Sequence, residues 1–133
     1  MEKEVQVFKC ENPEFDGVKK SIQLCKSDIL RGLIQVVKKG GENNLHAHTG
    51  DDALWLVLSG AVKFYGEGDK LIAELKRHEG IMIPRGFMYW FESASEEPLE
   101  ILRVSARDQN TENKRVNYTP LKPWQVDRYG DRA

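Results

Sequence analysis

Charge of one sign is missing from this chain: twenty Lys and Arg stand against twenty-one Asp and Glu in 133 residues, a formal net charge of -1. That balance leaves no basic face for nucleic acid or an anionic membrane, so neither is expected as a partner. Long apolar runs are also absent, and the longest, Ala53 to Leu58, is far too short to span a bilayer. The opening Met-Glu-Lys-Glu-Val lacks the basic and apolar regions of a signal peptide, and a cytoplasmic location is expected. Cysteine is scarce. Cys10 and Cys25 lie outside any CxxC or zinc-ribbon spacing and are expected to be free thiols without a functional role. Fixed-period repeats are lacking too, and the length suits one domain that buries its core without disulfides or metals.

What the chain does have is β punctuation. From Ile22 to Ala106, short runs rich in Val, Ile, Leu, Phe, Tyr and Trp alternate with Gly, Pro, Asn and Asp, and helical periodicity is weak. Strands are expected near Val5–Phe8, Ile22–Leu24, Gly32–Lys38, His46–His48, Ala53–Leu58, Val62–Gly66, Leu71–Leu75, Gly80–Ile83, Tyr89–Ser93 and Leu99–Ser105. Leu58-Ser59-Gly60-Ala61 and the segment from Tyr65 to Lys70 read as tight turns, with glycine supplying positive φ. Strands this short have to close into a barrel or pack as a jelly roll to hide their edges.

Three segments follow: residues 1–29 as N-terminal strands of the barrel or a dimer arm, 30–106 as the barrel core, and 107–133 as a C-terminal arm. The last turns polar, with Val116, Tyr118, Leu121, Trp124 and Tyr129 as isolated apolar anchors. Pro120 and Pro123 argue against a regular helix there. The arm is expected to wrap its own barrel or a neighbouring subunit, or to cover the pocket mouth as a lid.

Chemistry concentrates after the glycines Gly40 and Gly41, in His46-Ala47-His48. Two histidines one residue apart on a strand share a face. Converging neutral imidazoles suit a divalent transition metal such as Zn, Fe, Mn or Ni, although a mononuclear site normally wants a further protein ligand. The alternative to a shared functional role is a pair of polar residues hydrogen-bonded at the barrel mouth. By the same alternation, Ala53, Trp55 and Val57 face one way, and Tyr89 brings Phe87 and Phe91 with it, so Trp55 and Phe87 are candidate substrate contacts. Arg85, on a loop at the mouth, is a candidate partner for a ligand carboxylate or phosphate. His78 reads as a solvated turn residue.

Gly40, His46, His48 and Gly60 resemble the first cupin motif, and Glu79-Gly80-Ile81-Met82-Ile83-Pro84-Arg85-Gly86 resembles the second, over about residues 30 to 106. The resemblance implies an all-β, single-domain antiparallel jelly-roll barrel (a double-stranded β-helix), a homodimer and a small-molecule ligand. Two positions depart from the family pattern. Ala53 stands where the first motif has a glutamate ligand, and Tyr89 where the second has a histidine; Asp52 would need a bulge near Gly50 to turn inward. Three readings therefore stand: a metal held by His46, His48 and Tyr89; metal-free acid–base catalysis by the same three residues; or binding alone. The first two would make the protein an isomerase, epimerase, lyase or dioxygenase of a small polar metabolite such as a sugar derivative, and the third a non-catalytic module.

Overall fold

The computed structural model describes residues 4–11 and 14–129, with side chains through Val126. Its strands are β1 (Lys19–Lys26), β2 (Leu30–Val37), β3 (His46–His48), β4 (Asp51–Ser59), β5 (Ala61–Tyr65), β6 (Leu71–Lys76), β7 (Gly80–Ile83), β8 (Trp90–Ser93), β9 (Leu99–Arg107) and β10 (Arg115–Asn117). One helix, α1 (Pro123–Tyr129), follows. Every strand pairing is antiparallel: a five-stranded sheet β1-β2-β9-β4-β7, a three-stranded sheet β6-β5-β8 and a ribbon β10-β3. No helix among the described residues is long and apolar enough to cross a membrane.

Alternation builds the core. In β4, Ala53, Trp55 and Val57 are buried, and in β9 so are Leu99, Ile101, Arg103 and Ser105. The three-stranded sheet answers with Val62, Phe64 and Phe91, all fully buried. Trp55 meets Phe91 edge-on at 5.1 Å between ring centroids, and Phe64 at 6.0 Å. Each large apolar side chain so buried contributes about 1.5–3 kcal/mol. This packing fills the part of the interior between the two sheets that Trp55, Phe64 and Phe91 occupy.

The Ser59-Gly60 hairpin forms with Gly60 at φ 78°, and the second joint, between β5 and β6, also turns on a glycine, Gly68 at φ 69°, within the 3-10 segment Glu67–Asp69. There Asp69 (φ 58°) accepts a hydrogen bond from the Trp90 indole at 2.9 Å. Several other expected elements change on folding. Val5–Phe8 is not a strand. It lacks ladder bonds, and the Gln6 amide alone ties it to the backbone of Lys26, at 2.7 and 2.8 Å. The tail also differs, since β10 pairs with β3 and Pro123 opens a helix instead of preventing one. At the first helical position the missing proline N–H has no intrahelical partner to lose, so only an interior proline would have broken it. Among the expected anchors, Trp124 donates its indole N–H to Glu42 O at 2.7 Å, while the Tyr129 side chain lies outside the described residues. Cys10 and Cys25 are free thiols.

Candidate functional site

The short strand β3 carries the site because it is held from both sides. On one side His46 and Tyr89 exchange backbone hydrogen bonds of 3.1 and 2.9 Å. On the other, β10 pairs Arg115 with His48 and Asn117 with His46. Cross-strand partners project to one face, so the imidazoles, the phenol and the Arg115 guanidinium gather together. Ring centroids lie 5.1 Å apart for His46 and His48, 4.5 Å for His46 and Tyr89, and 6.4 Å for His48 and Tyr89.

These side chains line a cavity of about 350 Å³, within the roughly 300–1,000 Å³ of small-ligand sites. Trp55 forms another wall. Of the six candidate residues, His46, His48, Trp55 and Tyr89 line this cavity, and Arg85 and Phe87 do not. Phe87 is 46% exposed, because residues 84–88 form a turn after β7 and strand alternation does not extend through them. Arg85 is bound to the protein itself, 2.9 Å from Asp52 and 3.6 Å from Asp108. Asp52 thereby stays on the outer face. The register shift in β4 falls between Val57 and Ser59, far from Gly50. His78 is exposed in a left-handed turn conformation (φ 71°).

What the sequence reading missed is cationic. Lys19, Arg31, Arg103 and Arg115 all line the cavity, with no Asp or Glu among the described lining residues. Arg103 was the most legible of them. It occupies an inward position of β9, and an arginine amid Leu99, Ile101 and Ser105 marks a charge inside the barrel. It is 7% exposed, lies over the Trp55 ring at 5.5 Å and stands 3.7 Å from an Asp51 oxygen. Arg115 and Gln125 come from the tail, and no periodic signal announces them. Both donate to the Asn44 amide oxygen, at 2.6 and 3.0 Å.

The field of these cations governs the ionisable groups. Burial first, then Arg103 and Arg115, depress the His48 pKa to about 3. His46 also falls well below its ordinary value, through burial, then Arg115 and the neighbouring His48. Its Nδ1 lies 2.8 Å from the Asn44 carbonyl, which only accepts; Nδ1 therefore carries the proton and Nε2 the lone pair. Burial raises the Tyr89 pKa, although Arg103, Arg115 and the Trp55 indole favour its ionised form. At neutral pH the site holds two neutral imidazoles and a neutral phenol.

A pH prediction follows. A histidine with a depressed folded-state pKa costs no stability above its unfolded value near 6.5; below it the unfolded chain gains the proton first, and stability is lost as pH falls toward about 3. Urea unfolding between pH 7.5 and 4.5 is expected to show falling stability, with a shallower fall in His48→Gln. Equal slopes in the two proteins would refute the assignment.

These donors do not fit a divalent metal. Two imidazoles are present, but burial favours the protonated phenol, Ala53 stands where the resemblance to the first cupin motif implies a carboxylate, and the nearby guanidinium charges, which after burial oppose imidazole protonation, also oppose a dication. Among the described residues, no group of three or more His, Cys, Asp or Glu gathers in a ligating arrangement.

The family model for the cupin domain matches residues 33–105. No curated protein matches the sequence. Similar solved structures include a protein with a double-stranded β-helix domain from Klebsiella pneumoniae (TM-score 0.66, 16% identity, covering 79% of this chain and 90% of that one). KdgF from a Halomonas species is similar over 74% of this chain and 87% of its own (TM-score 0.59, 18% identity). The DMSP lyase DddQ from Ruegeria pomeroyi is similar over 73% and 51% (TM-score 0.60, 18% identity). At such identities the likeness extends to the fold alone.

Proposed function

The chain belongs to the cupin domain family, and from that membership and the chemistry of its cavity we propose that it binds a small hydroxylated organic anion, of which a sugar acid is the model, without a metal. One observation carries this reading. Among the described residues, the buried side-chain atoms without a hydrogen-bond partner are Gln35 Oε1, Trp55 Nε1 and Arg103 Nη2, and all three residues line the same cavity. The Tyr89 hydroxyl is near enough to Trp55 and Arg103 to be influenced by them but satisfies neither of these atoms. Buried polar atoms are ordinarily satisfied, so an unsatisfied set around one space describes its ligand. Two N–H donors, one of them charged, ask for an acceptor such as a carboxylate, and an amide oxygen asks for a hydroxyl. The cationic lining supplies the long-range attraction.

A second reading, metal-free proton transfer, is favoured by the fixed tautomer of His46, which leaves Nε2 as an acceptor. Against it, burial and then Arg115 hold the His46 imidazole well below its ordinary pKa, which makes it a weak base at neutral pH. The homodimer implied by the resemblance is kept in the proposal; the paired, outward-facing Leu54 and Met82, 44% and 61% exposed, support a partner on that face of the larger sheet.

Calorimetric titration of the full chain with gluconate and with glucose tests the binding reading. Gluconate is expected to bind at least about tenfold more tightly, the scale of one charge-assisted hydrogen bond, and to bind equally with and without EDTA. Equal affinity for glucose would remove the anion from the proposal, and loss of binding in EDTA would restore the metal.

A further inference from the structure

The cavity does not end at Arg103. A second cavity of about 300 Å³ is lined by Lys26, Asp28, Arg31, Asp51, Ser105 and Arg107 among others, and Arg31 and Arg103 line both. Strand geometry explains the continuity. The face of β2 that carries Gln35 and Leu33 runs on to Arg31, and the face of β9 that carries Arg103 and Ser105 runs on to Arg107 in the same direction; Arg31 and Arg107 are exposed. Gln35 and Leu33 face the first cavity, Ser105 and Arg107 the second, and Arg31 and Arg103 the junction. The two spaces adjoin at Arg31 and Arg103, and the second opens to solvent at the barrel edge, where Lys26, Asp28, Arg31 and Arg107 are exposed.

The second section is also cationic on balance, with Lys26, Arg31, Arg103 and Arg107 against Asp28 and Asp51. Arg103 approaches Asp51 at 3.7 Å, while Lys26, Arg31, Arg107 and Asp28 form no ion pair among the described residues. Arg103 links the sections: nine-tenths buried, its Nη2 lacks a hydrogen-bond partner although it sits at the meeting point. Ser105, 5% exposed, adds a hydroxyl to the second wall.

Building on the organic-anion reading, we infer that the ligand is an elongated dicarboxylate. One carboxylate lies in the inner section by Arg103 and the histidines, and the other in the outer section by Arg31, Arg107 and Lys26. One inward step along a strand is ~7 Å, a spacing met by a six-carbon diacid. A monoacid would leave the outer cations facing solvent, and a short diacid would not reach both sections.

The test compares acids that differ only at the far end: glucarate with gluconate, and adipate with hexanoate. Calorimetric titration of the full chain is expected to give each diacid about tenfold tighter binding than its monoacid, with malonate weaker than adipate. In Arg107→Ala, and separately in Lys26→Ala, the diacid-to-monoacid ratio is expected to fall toward one. Monoacids that bind as tightly as their diacids, or a ratio unmoved by both substitutions, would overturn the outer subsite and leave the organic-anion reading intact. Binding of none of the four acids would overturn both.

Discussion

Replacing Arg103 with methionine is expected to weaken gluconate binding by roughly 10- to 100-fold, the loss of one buried, charge-assisted hydrogen bond worth about 1.5–3 kcal/mol. Methionine keeps an unbranched stem against the Trp55 ring, which the guanidinium now covers at 5.5 Å. Stability is expected to change far less than binding. The arginine is a buried charge with an imperfect partner at 3.7 Å, and removing such a charge relieves desolvation while it loses attraction. Asp51 is left across the ladder from Arg107, its partner on β9. An independent readout exists, because Arg103 is, after burial, the largest influence depressing His48. In Arg103→Met the His48 imidazole is therefore expected to titrate at higher pH, observable by NMR. Unchanged gluconate affinity together with an unmoved His48 titration would show that the guanidinium does not act in the cavity.

Asn44→Ala is expected to have the largest effect on stability, about 3 kcal/mol, because one buried amide joins the barrel to its tail. Asn44 is 1% exposed. It donates to Asn117 Oδ1 at 2.9 Å and to Thr119 O at 3.0 Å, and it accepts from Arg115 and Gln125. Alanine strands several of these groups, each costing about 1–3 kcal/mol when left without a partner and less where the site relaxes. Denaturant unfolding measures the total. Hydrogen exchange gives its location: amides of β10 are expected to lose more protection than those of Val57, Phe64 and Ile101 in the core. Since Arg115 and Gln125 wall the cavity, gluconate affinity should fall with it. A cost below about 0.5 kcal/mol, on the scale of an ordinary surface substitution, with β10 still protected, would refute this account of the tail.

The barrel was readable because its determinants are local. Alternation over Ala53, Trp55 and Val57, and over Leu99, Ile101, Arg103 and Ser105, decides which side chains face inward whichever strands become neighbours. The His46 and His48 pair was readable for the same reason, as was the Gly60 turn. Extrapolation failed where the local rule stopped applying. Phe87 was assigned by strand alternation across a turn, and Pro123 by a rule for helix interiors at a helix start. Arg85 illustrates a different failure: a loop arginine is a plausible anion binder until Asp52 and Asp108 are seen to occupy it.

The sequence by itself determined an all-β shell and two imidazoles sharing a face, since both depend on residue type and a period of two; that Ala53 stands where a carboxylate ligand is expected came from the resemblance to the first cupin motif. Only the tertiary structure decided the charge of the cavity. Lys19, Arg31, Arg103 and Arg115 come from β1, β2, β9 and β10, separated by up to most of the chain, and converge through strand pairing. An electrostatic field sums over distance in space, whereas a sequence records distance along the chain. A chain with a net charge of -1 thus encloses a cavity lined by cations.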